Sequence, residues 1–190
     1  MTKQSNNGAK PETNLYLVGF MGTGKSTIGR MVASRLGFKF LDSDAEIERA
    51  RGKSVRKIFE QEGEDAFRRY ERDFIVDGHP PQRCVVACGG GLITQPGMVD
   101  ILKAKGVLIA LYASPETIIE RTSINRARPL LDCDNPEKRI RELMAAREAI
   151  YREAGSLVLT DHRSRCEVLA HIQRIYSREV RERGTRKLEE

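Results

Sequence analysis

The sequence predicts an α/β fold of three layers, a five-stranded parallel sheet with helices on both faces. Short apolar runs alternate along the chain with longer amphipathic segments, the pattern of strands joined by crossover helices. The first apolar run also leads straight into a glycine-rich stretch that opens a helix, Gly19-Phe20-Met21-Gly22-Thr23-Gly24-Lys25-Ser26-Thr27. The length sets the scale: 190 residues hold one such domain with a real core and are too few for two ordinary ones.

Taken in order, strands are expected over residues 15–18, 38–41, 84–87, 107–112 and 157–160. Helices are expected over residues 25–36, 44–51, 54–77, 97–105, 115–121, 136–154 and 164–183. Two stretches escape the alternation. Residues 88–96 carry three consecutive glycines, and residues 122–135 are polar and arginine-bearing. In parallel folds the functional loops follow the carboxyl ends of strands, so both stretches are candidates.

Bulk properties narrow the classes. Apolar residues make up 39% of the chain, as in a soluble globular protein, and no run approaches the ~20 residues of a membrane span. The polar start, residues 1–13, reads as a disordered leader without the apolar stretch of a secretory signal. The formal charge of +6 raises nucleic acid as a partner. Much of it, however, sits near the C-terminus (Arg174, Arg178, Arg181, Arg183, Arg186, Lys187) among glutamates, as on a solvated helix end and a polar tail over residues 179–190. No nucleic-acid or membrane partner is expected. Cys84 and Cys88 lie four apart on an expected strand, facing one way but too distant for a disulfide. With Cys133 and Cys166 they read as free thiols of a reducing cytoplasm.

The glycine-rich stretch satisfies G-x-x-x-x-G-K-[ST] in its required context, strand before and helix after. Glycines let the backbone wrap closely around a phosphate, and the helix N-terminus favours the anion. Gly22, Thr23, Gly24, Lys25, Ser26 and Thr27 therefore form an expected triphosphate cradle. Lys25 is placed to bring a cation to the β- and γ-phosphates, and Ser26 to give its hydroxyl to Mg²⁺. No N-K-x-D or D-x-x-G segment occurs, which weakens a GTPase reading.

After the second strand come Asp42 and Asp44, two residues apart and able to share one side of the strand end. Two acids beside a triphosphate call for a cation or an acceptor between them. Asp42 is assigned to the magnesium shell and Asp44 to the acceptor hydroxyl, although Asp44 would serve equally well as a helix cap. On the next helix Arg68 and Glu71 are three apart, close enough for the acid to orient the guanidinium.

The ordered blocks G-x-x-G-x-G-K-[ST], D-[ST]-D-x-x-I-E, I-F-x-x-x-G-E-x-x-F-R-x-x-E, a G-G-G turn and R-P-L-L resemble those of the shikimate kinases. The resemblance runs from Asn14 to Arg178. It implies one kinase domain over residues 14–178 with a mobile lid at about 122–135, acting as a cytoplasmic monomer. The implied reaction moves the γ-phosphate of ATP, with Mg²⁺, onto the 3-hydroxyl of shikimate, a step of chorismate and aromatic amino-acid biosynthesis. By the same resemblance Arg68 and Arg147 hold the shikimate carboxylate, and Gly89, Gly90 and Gly91 lie against its ring. Asp44 meets the ring hydroxyls, Arg128 closes over the transferring phosphate with the lid, and Arg121 packs near adenine. Lys25, Asp44 and Arg128 form the implied catalytic set, and Ser26 and Asp42 the metal ligands. Guanidinium forks suit a planar carboxylate, which they can grip bidentately.

Some features depart from that pattern. Cys88 stands where a Ser, Thr or Ala is expected, and residues 161–165 match the adenine-side loop poorly, which leaves Arg163 and Arg165 as weak nucleotide contacts. Arg126 has no assigned place. The competing functions are another small-molecule kinase, for gluconate or a nucleoside monophosphate, and a non-catalytic ATP-regulated binding module.

Overall fold

A computed structural model of the chain describes residues 12–123 and 135–189. Its sheet has five parallel strands in the order β2-β3-β1-β4-β5. These are β1 (Asn14–Gly19), β2 (Lys39–Asp42), β3 (Cys84–Ala87), β4 (Gly106–Tyr112) and β5 (Ser156–Leu159). The helices are α1 (Lys25–Leu36), α2 (Ser43–Arg51), α3 (Val55–Asp77), α4 (Met98–Lys105), α5 (Pro115–Ser123), α6 (Pro136–Glu153) and α7 (Arg165–Glu189).

Alternation along the strands divides the interior into two cores. Leu15 and Leu17 of β1 and Val107, Ile109 and Leu111 of β4 face Ile28 and Val32 of α1 and Ile172 and Tyr176 of α7. Tyr16 and Val18, with Leu108 and Ala110, face the other way onto a core shared by Ile47 of α2, Phe67 and Phe74 of α3, Met98 of α4, Ile118 of α5 and Met144 of α6. The expected three layers are present, with two helices on one face and five on the other among the described residues.

Three details depart from the sequence reading. The helix expected over 54–77 is broken at Gly63, whose φ of 83° and ψ of 171° lie where essentially only glycine goes. Across that break Glu62 accepts from Lys53 Nζ at 2.7 Å and Tyr70 Oη at 2.6 Å, tying the short first arm to the long second one. Within residues 88–96 a short 3₁₀ turn, Leu92–Thr94, closes the glycine segment. The last helix continues past the expected limit of 183: Val180 packs against the α1-side core, and Arg183 Nη2 donates to the carbonyls of Lys103 at 2.6 Å and Gly106 at 2.8 Å. A cation capping a helix C-terminus in this way satisfies carbonyls the helix leaves unpaired.

Of the expected leader, residues 1–11 lie outside the described residues, but Glu12 and Thr13 already join the fold. Arg83 N donates to Glu12 O at 2.7 Å, and Tyr176 Oη donates to Thr13 O at 2.6 Å. No described helix is long and apolar enough to cross a membrane. Cys84 and Cys88 are buried free thiols and Cys166 is an exposed one; Cys133 falls outside the described residues.

Candidate active site

The carboxyl ends of β1, β2 and β3 open into a cleft of about 680 Å³. One wall is the loop between β1 and α1. Gly24, at φ 93°, turns the chain into α1, so the first backbone N–H groups of that helix face the cleft. Thr23 Oγ1 donates to Phe20 O at 2.8 Å and stiffens the turn. Lys25 Nζ folds back over the loop to Gly19 O at 2.8 Å and Phe20 O at 2.9 Å, which holds its charge at the mouth of the cradle. Gly22, Thr23, Gly24, Lys25, Ser26 and Thr27 all line the cleft.

Asp42 and Asp44 line the same cleft. Ser26 Oγ donates to Asp42 Oδ2 at 2.6 Å, joining the start of α1 to the end of β2. A hydroxyl and a carboxylate are hard oxygen donors of the kind Mg²⁺ takes, one or two from protein and the rest from water and phosphates. No cluster of three or more His, Cys, Asp or Glu suited to a metal occurs among the described residues. The helix-cap reading of Asp44 does not hold. The cap position of α2 is Asp42, without a side-chain capping bond, and Asp44 stands within the first turn, accepting from Ser43 Oγ at 3.2 Å. Burial and the neighbouring Asp42 raise the Asp44 pKa above the ordinary carboxylate value, against the pull of Lys25.

Beyond the acids lies the glycine turn. Gly89 N donates to Ser43 Oγ at 2.8 Å, docking the turn on α2. Arg147 Nη1 and Tyr151 Oη, one helical turn apart on α6, both donate to Gly90 O, at 3.2 and 2.8 Å. Burial pushes the Tyr151 hydroxyl up to about 12, so it stays a donor. A Cβ on Gly91 would lie only 2.5 to 2.7 Å from the Arg68 guanidinium. Both predicted carboxylate-binding arginines therefore converge on this turn, whose Gly89 and Gly90 line the cleft.

Arg68 is held by acids on its own helix. Glu64 Oε1 accepts from Nε at 3.2 Å and Nη2 at 2.6 Å, and Glu71 Oε2 accepts from Nη1 at 2.6 Å. Glu71 is fully buried and takes a further bond from Gln95 Nε2 at 3.2 Å. Burial pushes its carboxyl up to about 7, although Arg68 pulls the other way.

Arg121 is pinned by Gly22 O at 3.1 Å, Thr160 Oγ1 at 3.2 Å and Thr160 O at 3.2 Å. Arg163 and Arg165 line the same cleft as Arg121, while His162 is exposed, with a φ of 50°. Buried Cys88 ends β3 at the cleft, and burial raises its thiol above the ordinary value. Arg126 and Arg128, with the R-P-L-L block, lie outside the described residues. Sequence reasoning had singled out neither Gln95 nor Tyr151 nor Ser43. Tyr151 was within reach, since it follows Arg147 by four residues on one helix face. Gln95 had no local signal.

A phosphate loop at a parallel sheet's switch point, with an acidic pair at the end of β2 on the far side of β3, defines a P-loop kinase of small size. A family model described as shikimate kinase matches residues 21–177. A shikimate kinase of Caldanaerobacter subterraneus subsp. tengcongensis is 41% identical over 163 residues, covering 86% of this chain and 95% of that protein. Among solved structures, the shikimate kinase of Acinetobacter baumannii in complex with shikimate shares 39% identity with a TM-score of 0.80, over 90% of this chain and 95% of that one. That of Aquifex aeolicus shares 31% identity with a TM-score of 0.74, over 86% and 95%. The chain belongs to the shikimate kinase family.

Proposed function

We propose that this protein transfers the γ-phosphoryl group of ATP to the 3-hydroxyl of shikimate, giving shikimate 3-phosphate and ADP. The observation that carries this reading is the convergence of Arg68 and Arg147 on one glycine turn beside Asp44. Two guanidinium groups are matched to an acceptor bearing a carboxylate, and an acid lies between that anchor and the phosphate cradle.

In this reading the loop N–H groups and Lys25 hold the β- and γ-phosphates, so catalysis rests on placement and charge neutralisation. Ser26 and Asp42 would hold Mg²⁺, which supplies charge neutralisation at the phosphates. Asp44 orients the accepting hydroxyl and is placed to receive its proton. Arg121, fixed by three hydrogen bonds, offers a flat guanidinium face to the base, with Arg163 and Arg165 opposite. Arg128 is assigned to the transferring phosphate as part of a lid over residues 122–135. The protein acts as a cytoplasmic monomer.

A coupled ADP-release assay with shikimate, gluconate, AMP and CMP tests the assignment. Turnover with shikimate alone is expected. Turnover with a nucleotide and none with shikimate would overturn it.

A further inference from the structure

Of the groups gathered at the glycine turn, Tyr151 is the one that the proposed reaction leaves without a part. Its side chain belongs to the core that also holds Ile140 and Met144 of the same helix, and only 3% of it is exposed. Its hydroxyl donates to Gly90 O at 2.8 Å. Arg147, one turn earlier on α6, donates from Nη1 to the same oxygen at 3.2 Å. A carbonyl oxygen has two lone pairs, so both bonds form at once and one helix holds the turn twice. The two bonds are unequal. The tyrosine bond has the usual length for its kind and comes from a ring locked in the core, whereas the arginine bond is at the upper end of the usual range. The guanidinium itself is half-buried, its central carbon 5.8 Å from the centre of the Phe20 ring.

We propose that Tyr151 is a positioning residue for Arg147: its hydroxyl keeps hold of Gly90 O while the guanidinium turns from that carbonyl to the carboxylate of the acceptor. A bidentate grip needs two parallel N–H groups in the plane of the carboxylate. Aligning the fork in this way draws Nη1 off Gly90 O, and the longer bond is the one that yields. With the tyrosine hydroxyl in place the carbonyl keeps a donor, and the turn stays where Gly89 N and Ser43 Oγ dock it from the other side at 2.8 Å. Without that hydroxyl the carbonyl would lose its remaining side-chain donor, and the bond surrendered would count against the one gained. The role rests on the shikimate reading of the site, since it requires an acceptor that carries a carboxylate.

The surroundings agree. Burial keeps the Tyr151 hydroxyl protonated far above neutral pH, and the charges of Arg147 and Arg68 both bear on it. The hydroxyl is therefore a neutral donor set beside the two cations of the grip, adding no charge that would compete with either for the carboxylate.

NMR titration of wild type, Tyr151→Phe, Arg147→Ala and the double variant with shikimate and with its methyl ester tests this. Tyr151→Phe removes only the hydroxyl and is expected to raise the shikimate Kd about fivefold, the scale of one neutral hydrogen bond. The ester has no carboxylate to draw the arginine away, so its Kd should be nearly the same in wild type and Tyr151→Phe. With Arg147 already gone the hydroxyl should matter little, and the double variant should match Arg147→Ala within about twofold. Equal losses for acid and ester, or losses from the two substitutions that simply multiply, would make Tyr151 a packing residue and overturn the proposal. Should Tyr151→Phe not fold, crystal structures of wild type with and without shikimate decide. Arg147 Nη1 should leave Gly90 O while Tyr151 Oη keeps it, and an arginine still bonded there beside the bound carboxylate overturns the proposal. If wild type neither binds nor phosphorylates shikimate, the substrate reading falls and takes this role with it; if it does both and the losses multiply, this role falls alone.

Discussion

The proposed phosphate cradle draws its groups from one stretch of chain, residues 19–27, joined among the described residues by Asp42 through Ser26. The acceptor end draws Asp44 from α2, Arg68 and Glu71 from α3, a glycine turn from the end of β3, and Arg147 and Tyr151 from α6. In the proposed function the cradle works mainly through backbone N–H groups whose direction a turn and a helix start dictate, and the acceptor end through side chains, each brought in by a different piece of the fold. Damage in the first region should therefore be local and chemical, whereas in the second it should spread through shared hydrogen bonds.

The largest effect is expected at Lys25. Its ammonium spans Gly19 O and Phe20 O at the cradle mouth, where the proposed reaction develops its charge. Lys25→Met should lower kcat by about 10²–10³-fold, as removal of one preorganised donor does, with the melting temperature little changed. A kinase assay beside a thermal melt checks both. A retained kcat would mean that the backbone alone neutralises the phosphates.

Gly89→Ala breaks the acceptor end while leaving the cradle intact. The new methyl group would meet Glu71 Oε1 and Asp44 Oδ1 at once, and neither can retreat without losing Arg68 or Ser43. Displacing Asp44 by about an ångström should cost on the order of 10²-fold in kcat/KM for shikimate. ATP affinity, measured by calorimetry, should stay near wild type. An equal loss for both ligands would show that the two regions are not separable.

The same contrast explains what could be read from the chain alone. Periodicity placed the strands and helices to within a few residues, since apolar alternation is what builds both cores. The cradle was legible because its chemistry is contiguous. Arg147 was not legible from its surroundings: on α6 it looks like any solvated helix arginine, and only family resemblance marked it. Its position is set by its bond to Gly90 O, far away in sequence, which no periodicity records. Gly63 was hidden for a different reason. Helical patterning continues on both sides of it, and the break lies in one backbone conformation stabilised by the Glu62 contacts with Lys53 and Tyr70. Glu71 was recognised as a partner for Arg68, but its burial emerges only once the helices are packed together.

A milder change follows at Arg147. Its bond to Gly90 O is duplicated by Tyr151, so Arg147→Ala should leave the turn in place and remove one side of the carboxylate grip. A charge-assisted bond is worth roughly 1.5–3 kcal/mol, which corresponds to about a 10- to 100-fold rise in shikimate KM. The KM for ATP should hardly move. Steady-state kinetics with each substrate varied in turn provide the check, and comparable shifts in both would place Arg147 in the nucleotide site.

The smallest effect lies at the foot of the sheet, away from both regions. His79 Nδ1 is 2.9 Å from Pro80 O. A carbonyl only accepts, so the neutral ring carries its proton there and Nε2 accepts from Tyr16 Oη at 3.3 Å. Phe74 and Tyr16 pack against the same ring. Burial, with Lys105 adding to it, lowers the His79 pKa below 6.5. The folded state thus prefers the neutral ring: its contribution is complete above pH 6.5 and is lost as pH falls through the lower folded-state value. Glu71, raised to about 7, contributes with the opposite sign over an overlapping range, so wild type alone would blur the two. Comparing urea midpoints of wild type and His79→Gln between about pH 7.5 and 5.5 separates them. The variant should lose about 1 kcal/mol at the upper pH, in keeping with one hydrogen bond and an aromatic contact, and the gap should narrow toward the lower one. A gap independent of pH would mean that His79 is held by packing alone. Because the cleft opens at the opposite ends of the strands, kcat at neutral pH should change far less in His79→Gln than in any of the variants above.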